Sequence, residues 1–474
     1  MNTNAHKLIL ALAVLFAIAA FSLAILKPDY VGGYFVLGAL IFAEVALVAI
    51  WEFSRRFFPL LIIVFLWAGV DVPLNELWTS RRWFVLAIAA VAGFVLYLRE
   101  RRHHFGAFHL VALFCVIAAV VSALVSSYPR IAILKALSLL MLFAYAATGA
   151  RLALLGREAR FCAGLLWGCE ALVYVSAVFY FVFRYPVFGN PNSLGAIMGM
   201  AVTPILLWGY FVSQTVPVRR RRVLALVLAM VLLFSSYARA GIGAAAVSCV
   251  VLCLALRQYR LLAKGAAVAA AAVLLIATLS PLRTGESSSL VSQYLYKGEE
   301  EGGILGSRRP VWDRTVASIR QHPWFGTGFG TVATSYDASV SQAGSVASNR
   351  STTHEHGNSY LAIAEWVGLL GVAPFFLLVI LIASKAGQVM IWLRRTGDPY
   401  FPAVPLAAVV IAGLVHAAFE DWLFAVGYYL CIFFWSLGFM MLDVLPAPVP
   451  RFARSAAPAP LPWPGSVGAA ASGQ

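Results

Sequence analysis

The sequence predicts an all-α, polytopic integral membrane protein: a helical bundle of about 12 to 14 transmembrane helices with one long loop that carries short helices of its own. Three observations lead there. Of the 474 residues, 62% are hydrophobic and only 12% charged, against about 25% charged in an ordinary soluble domain, too few to cover a folded aqueous surface of this size. The mean hydropathy is +0.85. Apolar runs of bilayer length recur along nearly the whole chain. A single soluble domain, a disordered chain and a collagen-like chain are excluded on these grounds.

The candidate spans, in order, are 8–26, 31–50, 57–70, 83–98, 107–125, 131–149, 161–183, 194–213, 223–236, 241–256, 265–280, 360–383, 403–420 and 423–442. Segments 57–70, 223–236 and 241–256 fall short of the roughly 17 residues that cross hydrocarbon comfortably, and they set the range in the helix count. The first run follows Lys7 and lacks an A-x-A cleavage site, so it reads as a retained helix and not a leader. Cys115, Cys162, Cys169, Cys249, Cys253 and Cys431 all lie in or beside apolar runs, which supports neither a disulfide framework nor a zinc site.

Orientation follows from the basic residues. With the N-terminus inside, the loops on that side hold 21 Lys and Arg, from Lys7 through Arg219–Arg222 to Arg451 and Arg454. The short loops opposite hold six: Lys27, Arg81, Arg82, Arg130, Arg184 and Arg239. This positive-inside bias accounts for a net charge of +15 without nucleic acid as a partner. The chain then divides into an N-terminal transmembrane bundle (1–280), a large outside loop (281–358), C-terminal transmembrane helices (359–445) and a tail (446–474). Seven prolines in that tail predict a disordered end on the inside.

The outside loop has local order. Pro310 suits a first helical turn, and Val311 to Gln321 reads as a helix with Trp312, Val316 and Ile319 on one stripe and Arg309, Asp313 and Arg320 on another. His322-Pro323 stops it. The glycines of "GTGFG" at 326–330 follow a helix and not a strand, so they predict a tight turn at the membrane face and not a dinucleotide loop.

Ionisable residues within spans are costly, about 2.5–3.5 kcal/mol each. They are Glu44, Lys135, Glu170, Glu365 and His416, each readable as a buried polar pair between helices or as a functional group. The outer face adds Arg239 at the tip of the hairpin 223–256, Asp71 and Glu76, the pair Glu420 and Asp421 read as solvated loop charges, and His354, Glu355 and His356. Histidines at i, i+2 are poor helical metal ligands, and no metal or cofactor is expected. Arginine is the preferred partner of phosphate through its planar fork, and a lipid-linked diphosphate lies at this depth.

Three stretches resemble the O-antigen ligase and polymerase superfamily of bacterial glycan-assembly membrane enzymes. They are "SYARAGIGAAAV" at 236–247, "GSRRPVWDRTVASIRQHPWFGTGFGT" at 306–331 and "HEHGNSYLAIAEWVGLLG" at 354–371. The resemblance implies a multi-pass protein of the bacterial inner membrane. Its site would face the periplasm and move a glycan from undecaprenyl diphosphate to lipid A-core or another glycan acceptor, without metal or nucleotide sugar. It implies that Arg239 holds diphosphate, that Arg309, or alternatively Arg308, is the loop arginine, and that His356 is the nearest match to the family histidine. The family places that histidine directly before asparagine, whereas Gly357 intervenes here before Asn358. A base, His356 or Glu76, would take the acceptor proton, with Glu365, Asn358 and Glu170 in support. The ligase-like reading leads; a polymerase of the same superfamily is the alternative, and a transporter or lipid flippase is the rival from another class. A transporter favours internal repeats and midplane polar groups, whereas here no repeat is visible and the polar residues crowd one face.

Overall fold

The computed structural model describes residues 56–70, 75–97, 105–185, 187–267, 308–331 and 355–446, with only the backbone of 75–84. Those residues form helices and connecting turns. They are α1 (Arg56–Trp67), α2 (Asn75–Tyr97), α3 (Ala107–Leu124), α4 (Pro129–Leu154), α5 (Glu158–Val182) and α6 (Pro191–Phe211). Next come α7 (Val216–Ser235), α8 (Arg239–Ala255) and α9, described over 259–267. The last are α10 (Arg309–Gln321), α11 (Ser359–Thr396), α12 (Ala403–Ala417) and α13 (Tyr429–Asp443). Prolines open α4, α6, α7 and α10 in the first turn, where the missing N–H would have had no partner anyway.

Among the described residues five helices are long and apolar enough to cross a membrane: α3, α4, α5, α6 and α11. The protein is a polytopic helical membrane protein, as predicted. The expected spans 8–26 and 31–50, and most of 265–280, lie outside the described residues. At the centre stand α6, α12 and α13, apolar and buried on nearly every side. Around them, α3 turns Leu110, Leu113, Phe114 and Ile117 outward, α4 Leu134, Leu137 and Leu140, and α11 Leu377 and Ile380. Contiguous exposed apolar faces of this kind are stable against lipid and not against water.

Close backbone contact joins α6 to α8. A Cβ at Gly199 would lie 2.1 Å from the Gly241 carbonyl oxygen, and one at Gly241 would lie 2.3 Å from that of Gly195. Small residues four apart let helices approach this closely in lipid, where packing and not the hydrophobic effect drives association.

Several span boundaries differ from expectation: α2 starts at Asn75 and not at 83, so positions 76, 81 and 82 lie in a helix and not in a loop, α13 starts at Tyr429 and not at 423, and two helices extend through basic residues. Helix α7 begins at Val216, so Arg219–Arg222 lie within it and not in a loop. Arginine is a good helix former, and its long stem lets the charge reach a partner at the span's end. Arg221 Nε lies 2.9 Å and Arg222 Nε 3.6 Å from the Glu170 carboxylate. Arg222 Nη1 also donates to the Gly209 carbonyl (2.5 Å) and to Ser213 Oγ (2.9 Å). Helix α11 likewise runs past residue 383 to Thr396, carrying Lys385, Arg394 and Arg395 on its last turns. At this same end Arg151 pairs with Asp443, Nε donating to Oδ2 at 2.6 Å, and meets His109 Nε2 at 3.2 Å. Helices α3, α4 and α13 are thereby tied at one arginine-rich end of the bundle.

Helix α11 is broken. Gly368 has φ 64° and ψ −177°, and the segment 323–328 fills the break. Thr327 and Gly328 N–H groups donate to the Glu365 and Trp366 carbonyls at 2.9 and 3.1 Å. Leu369 and Leu370 N–H groups donate to the Pro323 and Trp324 carbonyls at 2.7 and 3.1 Å. Irregular backbone at membrane depth persists only where protein satisfies its freed polar groups. Lys135 on α4 donates to the Gly330 carbonyl at 2.5 Å, so this intramembrane charge anchors the glycine turn.

Candidate active site

At the end opposite the arginine-rich one, three connections converge: the turn before α10, the turn before α11 and the α12–α13 loop. Asn358 caps α11, its side chain accepting from the Tyr360 and Leu361 N–H groups at 2.8 and 3.1 Å. Its role is therefore local. Gly357 precedes it with φ +61°, a conformation glycine adopts at no steric penalty. This turns the Gly357 carbonyl toward Arg308 Nη1 and Trp312 Nε1, which both donate to it at 3.2 Å.

The same turn buries His356, which is 1% exposed. Its backbone N–H donates to Asp421 Oδ2 at 2.8 Å, and ring Nδ1 lies 3.1 Å from that oxygen. Nε2 lies 2.9 Å from Glu365 Oε2, and the ring meets Trp366 edge-on at 5.3 Å. Burial works against a charged imidazole, but the hydrogen bonds and charges of Asp421 and Glu365 outweigh it and push the pKa up to about 9. Both partners favour the charged imidazole, with Asp421 at one ring nitrogen and Glu365 at the other. The reciprocal effect on Asp421 has the same logic. Burial raises its pKa, the His356 contacts lower it more, and the net direction is down.

Arg308 completes the cluster. Its Nη2 donates to Glu420 Oε1 at 2.5 Å. Burial holds the Glu420 carboxyl above its ordinary value despite that arginine. Ser359 Oγ donates to the Glu420 carbonyl at 2.6 Å and accepts from the Leu423 N–H at 3.1 Å, which fixes the acidic tip over the start of α11. Trp422 Nε1 donates to His416 Nδ1 at 2.8 Å behind it, so this histidine supports the tip from below.

The expected site residues thus separate. His356, Glu365 and Arg308 come together. Arg309 is exposed on the first turn of α10. Arg239 opens α8 half-buried at the same end of the bundle. The turn before it packs on Gly195, close to Ser193, whose carbonyl accepts from Tyr429 Oη at 3.4 Å. Glu170 does not join the site: it sits with Arg221 and Arg222 toward the arginine-rich end, because two cations on the neighbouring helix offset its burial. The Glu76 side chain, His354, Asp71 and Glu44 lie outside what the structure describes. Glu420 and Asp421, expected as solvated charges, are instead the partners of Arg308 and His356, with 24% and 26% of their side chains exposed. The sequence signal that marks them is adjacent carboxylates beside a tryptophan at a tip between two largely apolar helices.

The fold and this cluster define a multi-pass membrane protein with a buried ionic centre at one end. Residues 224–376 match the family model of the O-antigen ligase, and that segment contains Arg239, Arg308, Arg309, His356 and Glu365. Over that segment, about a third of the chain, the protein is similar to the O-antigen ligase family. No curated protein matches the chain.

Proposed function

We propose that the protein is a ligase-like glycosyltransferase of the bacterial inner membrane. It would move a glycan from undecaprenyl diphosphate to a hydroxyl of lipid A-core or a similar acceptor at the periplasmic face. The observation that carries this reading is the placement, at one end of the bundle, of a guanidinium (Arg308) paired with Glu420, and next to Glu420 in the chain a partly exposed carboxylate (Asp421) held by buried His356.

The acceptor oxygen attacks the anomeric carbon. The bond from that carbon to the diphosphate oxygen breaks, and its electron pair leaves with the diphosphate. Arg308 and Arg239 stabilise the charge that grows there, an electrostatic contribution worth roughly 10²–10³ in rate for one donor. Asp421 takes the acceptor proton. His356 works in its charged form as a positioning residue, since imidazolium has no site for a further proton. Glu365 balances its charge from the membrane side. Arg309 reaches donor sugars from the exposed turn of α10, and Glu76 is the next candidate base after Asp421.

The test is reconstitution of the purified protein in vesicles with an undecaprenyl-diphosphate glycan and a lipid A-core acceptor. Ligation yields glycan on lipid A-core. Extended lipid-linked glycan would identify a polymerase instead, and an untouched donor would refute the enzyme reading.

A further inference from the structure

A second site lies at the arginine-rich end, away from the proposed active centre and not dependent on it. Between α1, the end of α4 and the start of α5 is a slot of about 430 Å³, lined by Arg56, Arg157, Arg160, Pro59, Ile63, Phe161, Gly164 and Ala153. Arg56 is the first residue of α1. Arg157 and Arg160 stand at the start of α5, three residues apart and so on one face. The three guanidinium groups therefore form the mouth.

The floor is apolar. Ile63 lies seven residues along α1 from Arg56, about 10 Å deeper at 1.5 Å per residue. It packs on α5 at Gly168, where a Cβ would meet it at 3.2 Å. Trp67 Nε1 donates to the Gly168 carbonyl at 3.2 Å, which closes the bottom. Glu158, next to Arg157 in the chain, accepts from the Gly156 N–H at 3.0 Å. Neither Arg56 nor Arg160 has an acidic partner among the described residues.

Arg56 and Arg160 bring two like charges to one slot, and an anion between them relieves their repulsion. Arginine's fork matches a phosphodiester, and the apolar wall beneath has the depth and chemistry of a lipid chain. Basic pockets between transmembrane helices at the positive-inside surface are suited to acidic lipid headgroups. We propose that this slot binds an anionic phospholipid, the phosphodiester held by Arg56, Arg157 and Arg160 and an acyl chain lying on Ile63, Phe161 and Gly164. A free phosphate would use the mouth and leave the wall idle.

The experiment is native mass spectrometry of the detergent-purified full chain titrated with phosphatidylglycerol, phosphatidylcholine or inorganic phosphate. Phosphatidylglycerol should bind in preference to phosphatidylcholine. Arg157→Gln and Arg160→Gln should each weaken it about fivefold, the contribution of one surface cation. Arg220→Gln, an exposed arginine on α7 at the same end that does not line the slot, should leave binding unchanged. Equal losses in Arg220→Gln would reduce the effect to bulk charge and overturn the site. Displacement by inorganic phosphate at matched concentration would make it a phosphate site and overturn the lipid assignment. If the arginine variants do not fold, Gly164→Leu decides. Its Cβ meets only Ile63 Cδ1, at 3.8 Å, so the side chain fills the slot with every charge kept; undiminished phosphatidylglycerol binding there would also overturn the proposal.

Discussion

At the scale of single residues, the glycine between His356 and Asn358 explains how one turn assembles the candidate site. With φ +61°, Gly357 makes the turn that lets one carbonyl meet both Arg308 and Trp312 while His356 points inward to two carboxylates. The raised histidine pKa has a signed consequence. A group whose folded pKa lies above its ordinary value of 6.5 contributes stability that is complete below 6.5 and is lost as the pH rises through about 9. Thermal melting of the wild type should therefore decline across that window, and His356→Gln should flatten the decline. Turnover should fall over the same range if His356 acts charged. A rate that instead climbs through pH 9 would make His356 the base, as the sequence alone suggests. The two neighbouring arginines give a sharper contrast. Arg308→Lys should lower kcat by about 10²–10³, since lysine has no planar fork. Arg309→Lys, on an exposed turn, should stay within a few-fold, and equal losses in the two would remove Arg308 from its special place.

At the scale of elements, the break in α11 couples the glycine turn to the site, because Glu365 offers its carbonyl to Thr327 and its carboxylate to His356. Gly368 occupies a region of backbone space open essentially to glycine, and forcing another residue there costs about 1–3 kcal/mol. A Cβ at this position would also lie 2.5 Å from the Gly326 nitrogen. Gly368→Ala should lower both the melting temperature and turnover. Gly387→Ala, in the same helix but with open space around it, should be neutral or stabilising by about 0.5–1 kcal/mol. If both substitutions behave alike, the break is not a structural requirement. The glycine turn itself was legible, since "GTGFG" after a helix stop has few other uses. Its partner was not: apolar residues run unbroken through 366–378, so nothing in the periodicity marks a helix that changes direction at Gly368.

At the scale of the whole molecule, hydropathy located the described spans because a bilayer admits few alternatives to buried, hydrogen-bonded helices. It misplaced the ends of α7 and α11, because arginines on long stems continue a helix past the apolar run. The acidic tip at Glu420 and Asp421 was legible as charge and illegible as a site, since its partners lie 112 and 65 positions away in sequence. What joins these readings is the polarity of the bundle. Helix α13 starts beside the tip and ends at Asp443, which is tied to Arg151 at the arginine-rich end. The chain after it therefore leaves from that end, whereas Arg308 and His356, which border the long loop, sit at the other. Labelling with a membrane-impermeant maleimide then reports which way the site faces. Ser339→Cys, in the loop between them, should react in intact spheroplasts, and Ser455→Cys should react only after permeabilisation. The reverse pattern would put Arg308, His356 and Asp421 on the inside, where a periplasmic lipid A-core acceptor could never reach them, and the ligase reading would fall with it.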